Sequence, residues 1–103
     1  MQMVKIEVRN LLMFYRLAGK FREFVEFDQA KPTLRDLVVK LEELHGKQIT
    51  DALIDPNKGD IRYVSDLKSG KKAVRILVNG RMAWWLKGLN TELKNGDVVQ
   101  LFG

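Results

Sequence analysis

The residues able to do chemistry are few, and their spacing excludes more than it supports. No cysteine occurs, which removes disulfides, thiolate metal ligands, cysteine nucleophiles and any persulfide held on a side chain. The single histidine, His45, stands beside Gly46 at the end of a helical pattern, where the helix dipole accounts for it. One histidine without cysteine is a poor basis for zinc. Asp55, Asn57 and Asp60 suggest a calcium loop. Gly59, however, takes the fifth place, where a ligand is needed, and Asp60 the sixth, where the sharp turn needs glycine. Neither a Gly-x-Gly-x-x-Gly loop nor a Walker pattern is found. Glu23, Glu26, Glu42 and Glu43 read as solvated faces, and no motif places a Ser/His/Asp set. The expectation is a chain without catalytic residues, metal or cofactor.

Charge narrows the partners further. The net charge is +5, yet the cations are spread along the chain, and only Lys68, Lys71 and Lys72, around Gly70, approach a cluster. Such a cluster reads first as a solvated loop, so specific nucleic-acid binding is disfavoured. Trp84 offers a sharper possibility. Adjacent tryptophans on a strand point to opposite faces, so Trp85 is expected in the core. Trp84, with Met82 beside it, would then form an apolar docking patch of the kind aromatic anchors supply.

The elements that must position these residues follow from periodicity. Val4, Ile6 and Val8 alternate with Lys5, Glu7 and Arg9, which predicts a strand with one buried face. Leu11 to Ala18 is too apolar for a turn and predicts a helical turn folding back on the core. Phe21 to Phe27 predicts a second strand, with Phe21, Val25 and Phe27 inward and Phe24, anomalously, outward. Thr33 and Asp36 form a capping box, and Leu34, Leu37, Val38, Leu41 and Leu44 recur at helical spacing, so 33–45 is a helix stopped by Gly46. Residues 47–72 read as irregular, pinned to the body by Leu53, Ile54, Ile61, Tyr63, Val64 and Leu67. Ala73 to Val78 predicts a strand, Asn79-Gly80 a hairpin turn, Arg81 to Trp85 a short return strand, and Val98 to Phe102 the last. The order predicts an α+β domain over 1–103, one main helix packed on a mixed sheet of four or five strands. The start of the chain lacks an apolar signal segment, and no apolar run would span a bilayer. A cytoplasmic protein with no membrane partner is expected.

Three stretches together resemble the MoaD/ThiS family of sulfur carriers. Thr33-Leu34-Arg35-Asp36-Leu37 is similar to the family's T-x-x-D-L helix start, and Ile76-Leu77-Val78-Asn79-Gly80-Arg81 to its V-L-V-N-G-R hairpin. Gly88 to Val99 is similar to its closing G-L-D-T-x-L-x-D-G-D-x-V segment. The resemblance implies a β-grasp (ubiquitin-like) fold and a carrier that is not an enzyme. In such carriers the C-terminal carboxylate is adenylated by an E1-like adenylyltransferase and converted to a thiocarboxylate. Its sulfur passes to molybdopterin on a synthase large subunit, or to the thiazole of thiamin. The chemistry calls for a flexible tail ending in Gly-Gly, thin enough to thread a narrow channel. Here Gly103 is the candidate carboxylate, and Phe102 stands where a penultimate glycine belongs. One residue reaches only about 3.3–3.6 Å beyond the strand. A trimmed tail and a member without carrier function are both left open. In the second case the sheet would serve as a protein-interaction module or enzyme subunit, with Met82, Trp84 and Phe102 as the docking residues.

Overall fold

The computed structural model describes residues 3–103; Met1 and Gln2, with which the N-terminal reading began, lie outside it. Strand β1 (Val4–Leu11) and strand β2 (Arg22–Phe27) form an antiparallel hairpin around the short helix α1 (Met13–Ala18). Helix α2 (Leu34–His45) and helix α3 (Lys47–Leu53) follow, then a two-strand ribbon, β3 (Ile54–Asp55) and β4 (Asp60–Ile61). Strands β5 (Arg75–Val78), β6 (Arg81–Met82) and β7 (Val98–Phe102) complete a five-stranded sheet in the order β2-β1-β7-β5-β6. β7 runs parallel to β1 and antiparallel to β5. A hairpin, a helix crossing one face and a last strand inserted at the centre are the β-grasp arrangement that the resemblance implied.

α2 forms where its local chemistry dictates. The Thr33 N–H donates to Asp36 Oδ2 at 2.9 Å and Thr33 Oγ1 accepts from the Asp36 N–H at 3.4 Å, closing the capping box. Leu34, Leu37, Val38 and Leu41 are buried against Val4, Ile6 and Val8 of β1, Val25 and Phe27 of β2, Ile76 and Val78 of β5, and Val99 and Leu101 of β7, all in one cluster. Each such side chain taken from water stabilises the fold by roughly 2 kcal/mol.

Several sequence expectations are corrected: Val64 and Leu67, expected to pin residues 47–72 to the body, are exposed. Leu44 is 58% exposed; at 100° per residue His45, four after Leu41, continues the apolar stripe and Leu44 flanks it. Phe21 lies outside β2 and is exposed. Residues 47–72 are less irregular than their composition suggests. Gly46, at φ 93°, turns the chain directly into α3, which buries Ile49, Ala52 and Leu53. Finally, β6 ends at Met82, and Ala83–Trp85 is a 3-10 turn that buries Ala83. Trp85 is therefore 80% exposed rather than in the core.

The outward Phe24 finds a local reason. Lys5 Nζ lies 4.8 Å and Arg22 Cζ 5.4 Å from its ring centre, so two cations rest against an exposed aromatic face.

Candidate functional site

β7 carries the end of the chain through the middle of the sheet. Its register pairs Phe102 with Leu11 on β1 and with Arg75 on β5. Beyond Phe102 the backbone meets α1: the Met13 N–H donates to the Gly103 carbonyl oxygen at 3.4 Å. A Cβ at position 103 would stand 2.7 Å from the Phe14 ring and 2.8 Å from Met13 Cε. A side chain here would require the Phe14 ring and the Met13 side chain to shift. Gly103 lies in an opening of about 310 Å³ between α1 and the loop leading to β5, with Met13, Arg16, Lys71 and Lys72 on its walls.

The face of the sheet away from the helices is partly apolar. Leu11, Leu77, Met82, Val98 and Phe102 are half-buried on it, while Lys5, Arg22, Phe24, Glu26 and Arg75 are exposed. Met82 pairs with Leu77, and Leu77 with Gln100, so Met82 and Phe102 share this face with β5 between their strands. Trp84 does not join them as a strand neighbour. It leaves through the 3-10 turn and tilts against Tyr63, ring centres 5.0 Å apart. The structure thus unites Phe102 with Gly103, sets Met82 on the same face, and gives Trp84 different surroundings. Burial, and then the negative charge of Asp60, push the Tyr63 phenol above its usual range.

Two buried polar groups escaped the sequence reading. Glu23 is not solvated; it is 7% exposed. It accepts from Asn10 Nδ2 at 2.7 Å, and its two oxygens lie 2.8 and 2.9 Å from His45 Nε2. A carboxylate only accepts, so Nε2 carries the proton. This chain ties β1, β2 and the last turn of α2 together, and His45 is accounted for by a partner, not only by the helix dipole. Arg62, 5% exposed, donates through one guanidinium nitrogen to the carbonyls of Asp51 and Ile54, at 3.3 and 2.9 Å. It thereby closes the C-terminal end of α3, where carbonyls lack partners and the helix dipole is negative. Among the described residues no three His, Cys, Asp or Glu side chains converge to hold a metal, and no helix is long and apolar enough to cross a membrane.

Comparison with known proteins agrees with this geometry. The model of a family described as the ThiS family matches residues 15–103. Among solved structures, the HVO 2177 protein of Haloferax volcanii superposes with a TM-score of 0.75 at 25% identity, covering 97% of this chain and 82% of that one. Subunit 1 of a molybdopterin converting factor from Pyrococcus furiosus gives 0.69 at 27% identity, over 96% and 95%. The small archaeal modifier protein 1 of Methanosarcina acetivorans gives 0.69 at 19% identity, over 97% and 92%, a likeness of fold alone. No curated sequence gives a significant match.

Proposed function

Taking as premise that the chain belongs to the ThiS family, whose members are ubiquitin-like carriers and not enzymes, we propose that it is a cytoplasmic sulfur carrier for molybdopterin synthesis. The observation that carries this reading is the path of β7. The strand is held on both sides within the sheet and delivers Gly103 to an opening at the sheet's end. A carrier supplies reach and a carboxylate, and this geometry supplies a rigid base for both. Likeness to the Pyrococcus furiosus converting-factor subunit, over nearly the whole of both chains, supports molybdopterin as the acceptor rather than the thiazole of thiamin.

In the proposed cycle the carrier's carboxylate attacks the α-phosphate of ATP on an E1-like enzyme, releasing pyrophosphate. A sulfide equivalent then displaces AMP and leaves a thiocarboxylate. That group gives up its sulfur on the large subunit of a synthase, and water restores the carboxylate. Phe102 and Met82, on the half-apolar sheet face, are the docking residues for these partners, with Trp84 a separate anchor beside Tyr63.

The test is the intact mass of the protein made from its native gene, before and after incubation with its E1-like enzyme, ATP and a sulfur donor. A gain equal to one oxygen exchanged for sulfur is expected. An unchanged mass, with an enzyme active on a known carrier, refutes the reading.

A further inference from the structure

The opening at Gly103 carries three basic side chains and no acidic one. Arg16 reaches it from α1, and Lys71 and Lys72 from the loop before β5, two segments far apart in sequence. All three are exposed. No acidic side chain lines the opening, whose remaining walls are Met13, Ala52, Gly70 and Gly103. None of the three cations takes part in an ion pair among the described residues, where the pairs formed are Arg9–Glu7 and His45–Glu23.

Their placement is built, not incidental. Asp66 accepts the Lys68 N–H at 3.0 Å through its side chain, and its own N–H donates to the Lys71 carbonyl at 2.8 Å. The Ala73 N–H donates to Ser65 Oγ at 3.0 Å. These bonds fold the loop back on itself, and its Lys71 and Lys72 line the same opening as Arg16 of α1. The other pole of the sheet differs. There Lys31 and Lys94 share their cleft with Glu92, so charge is mixed.

We propose that Arg16, Lys71 and Lys72 form a basic collar that docks on an acidic rim around the channel of the activating enzyme. The proposal rests on the carrier reading, because it is there that the chain end enters a partner. At physiological ionic strength charges act over about 8 Å, and over about 3 Å in 1 M salt. A collar around the point of entry therefore steers encounter and orients the chain end before apolar contacts close. A protein rim fits better than nucleic acid: the collar is small and no aromatic side chain stands in it for a base to stack on.

The experiment compares the wild-type chain, the Lys71→Glu/Lys72→Glu variant and the Lys31→Glu/Lys94→Glu variant as substrates of the cognate E1-like enzyme. The last makes the same change in net charge at the opposite pole. Pyrophosphate exchange is followed from low to high salt, with urea midpoints confirming that all three chains fold alike. Reversal at the collar is expected to lower kcat/KM about tenfold or more at low salt, with kcat nearly unchanged, and to flatten the salt dependence. The opposite-pole variant should stay within about twofold of wild type. Equal losses in both variants, or an unaltered salt dependence after collar reversal, would overturn the collar while leaving the carrier intact. A wild-type chain that is never adenylated removes the carrier reading and the collar with it.

Discussion

Asn79 and Asp97, eighteen residues apart, are joined by a hydrogen bond of 2.9 Å from Asn79 Nδ2 to Asp97 Oδ1. The same asparagine accepts the Val98 N–H at 2.9 Å through its Oδ1. It also sits at φ 52°, with Gly80 at 82°, the geometry of a tight hairpin turn. One residue therefore closes the β5–β6 turn and clasps the start of β7. Asn79→Ala is expected to cost about 1–2 kcal/mol, from two lost hydrogen bonds and the poorer fit of alanine at positive φ. Asn79→Asp keeps the acceptor but sets two carboxylates against each other, so it should be at least as damaging at neutral pH. Urea denaturation of both variants measures this; a neutral Asn79→Ala would show the clasp to be ornamental.

The Glu23–His45 pair gives a second expectation. Their side chains are only 6% and 9% exposed, so removing one partner leaves the other's polar atoms buried. His45→Leu should cost about 3 kcal/mol. Adding Glu23→Leu should recover part of that loss, because the stranded carboxylate is then gone. A double variant weaker than the single by the full cost of Glu23→Leu would show that the two groups act independently.

Leu12 is strained. It holds φ 58° and ψ −120° at the start of α1 while 69% exposed. A β-carbon there costs about 1–3 kcal/mol, and little packing is at stake. Leu12→Gly should therefore raise stability by about 1 kcal/mol, a net of strain relief over added freedom in the unfolded chain. The midpoint in urea should rise with an unchanged slope.

Tyr63 predicts a loss of stability in alkali. Its phenol lies above the ordinary 10.0, mainly through burial and then through Asp60. The folded state thus favours the neutral phenol. That contribution is complete below the unfolded value and disappears as pH rises through the folded one. Tyr63→Phe should flatten the fall in stability as pH rises above the ordinary phenol value of 10.0. Parallel pH curves for the two proteins would remove the effect.

Much of the fold was legible in the residues. The capping box, the alternation of β1 and the Asn79-Gly80 turn each act within a few residues of themselves. The rest depended on distance. Asn10 continues the inward series Val4, Ile6, Val8, and Glu23 the inward series of Val25 and Phe27, so both could have been read as buried polar residues on period 2. Their meaning needed His45, which sits on the apolar stripe of α2 by the same spacing that puts Leu41 there. α3 had a short apolar pattern, Ile49, Ala52 and Leu53, but no side-chain cap to announce it. The tryptophans misled because β6 stops at Met82, and the 3-10 turn then buries the small Ala83 in place of an indole. For the candidate site, Gly103 and Phe102 came from motif position, and Met82 from strand alternation with Trp84. Of the cations around Gly103, Lys71 and Lys72 already stood out as a near-cluster, but Arg16 joins them only after the chain has folded.

The parallel register of β7 with β1, from Glu7–Val98 to Leu11–Phe102, also decides how the protein bears a load. A partner that draws the chain end into itself pulls along the axis of β7. The hydrogen bonds to β1 on one side and β5 on the other then resist together, in shear, where a strand peeled from an edge would give them up one by one. Traction at Gly103 should consequently shift the whole sheet before it frees the strand. Single-molecule pulling between Gly103 and the start of β1 would show this as one abrupt high-force rupture, and a gradual low-force unzipping would contradict it.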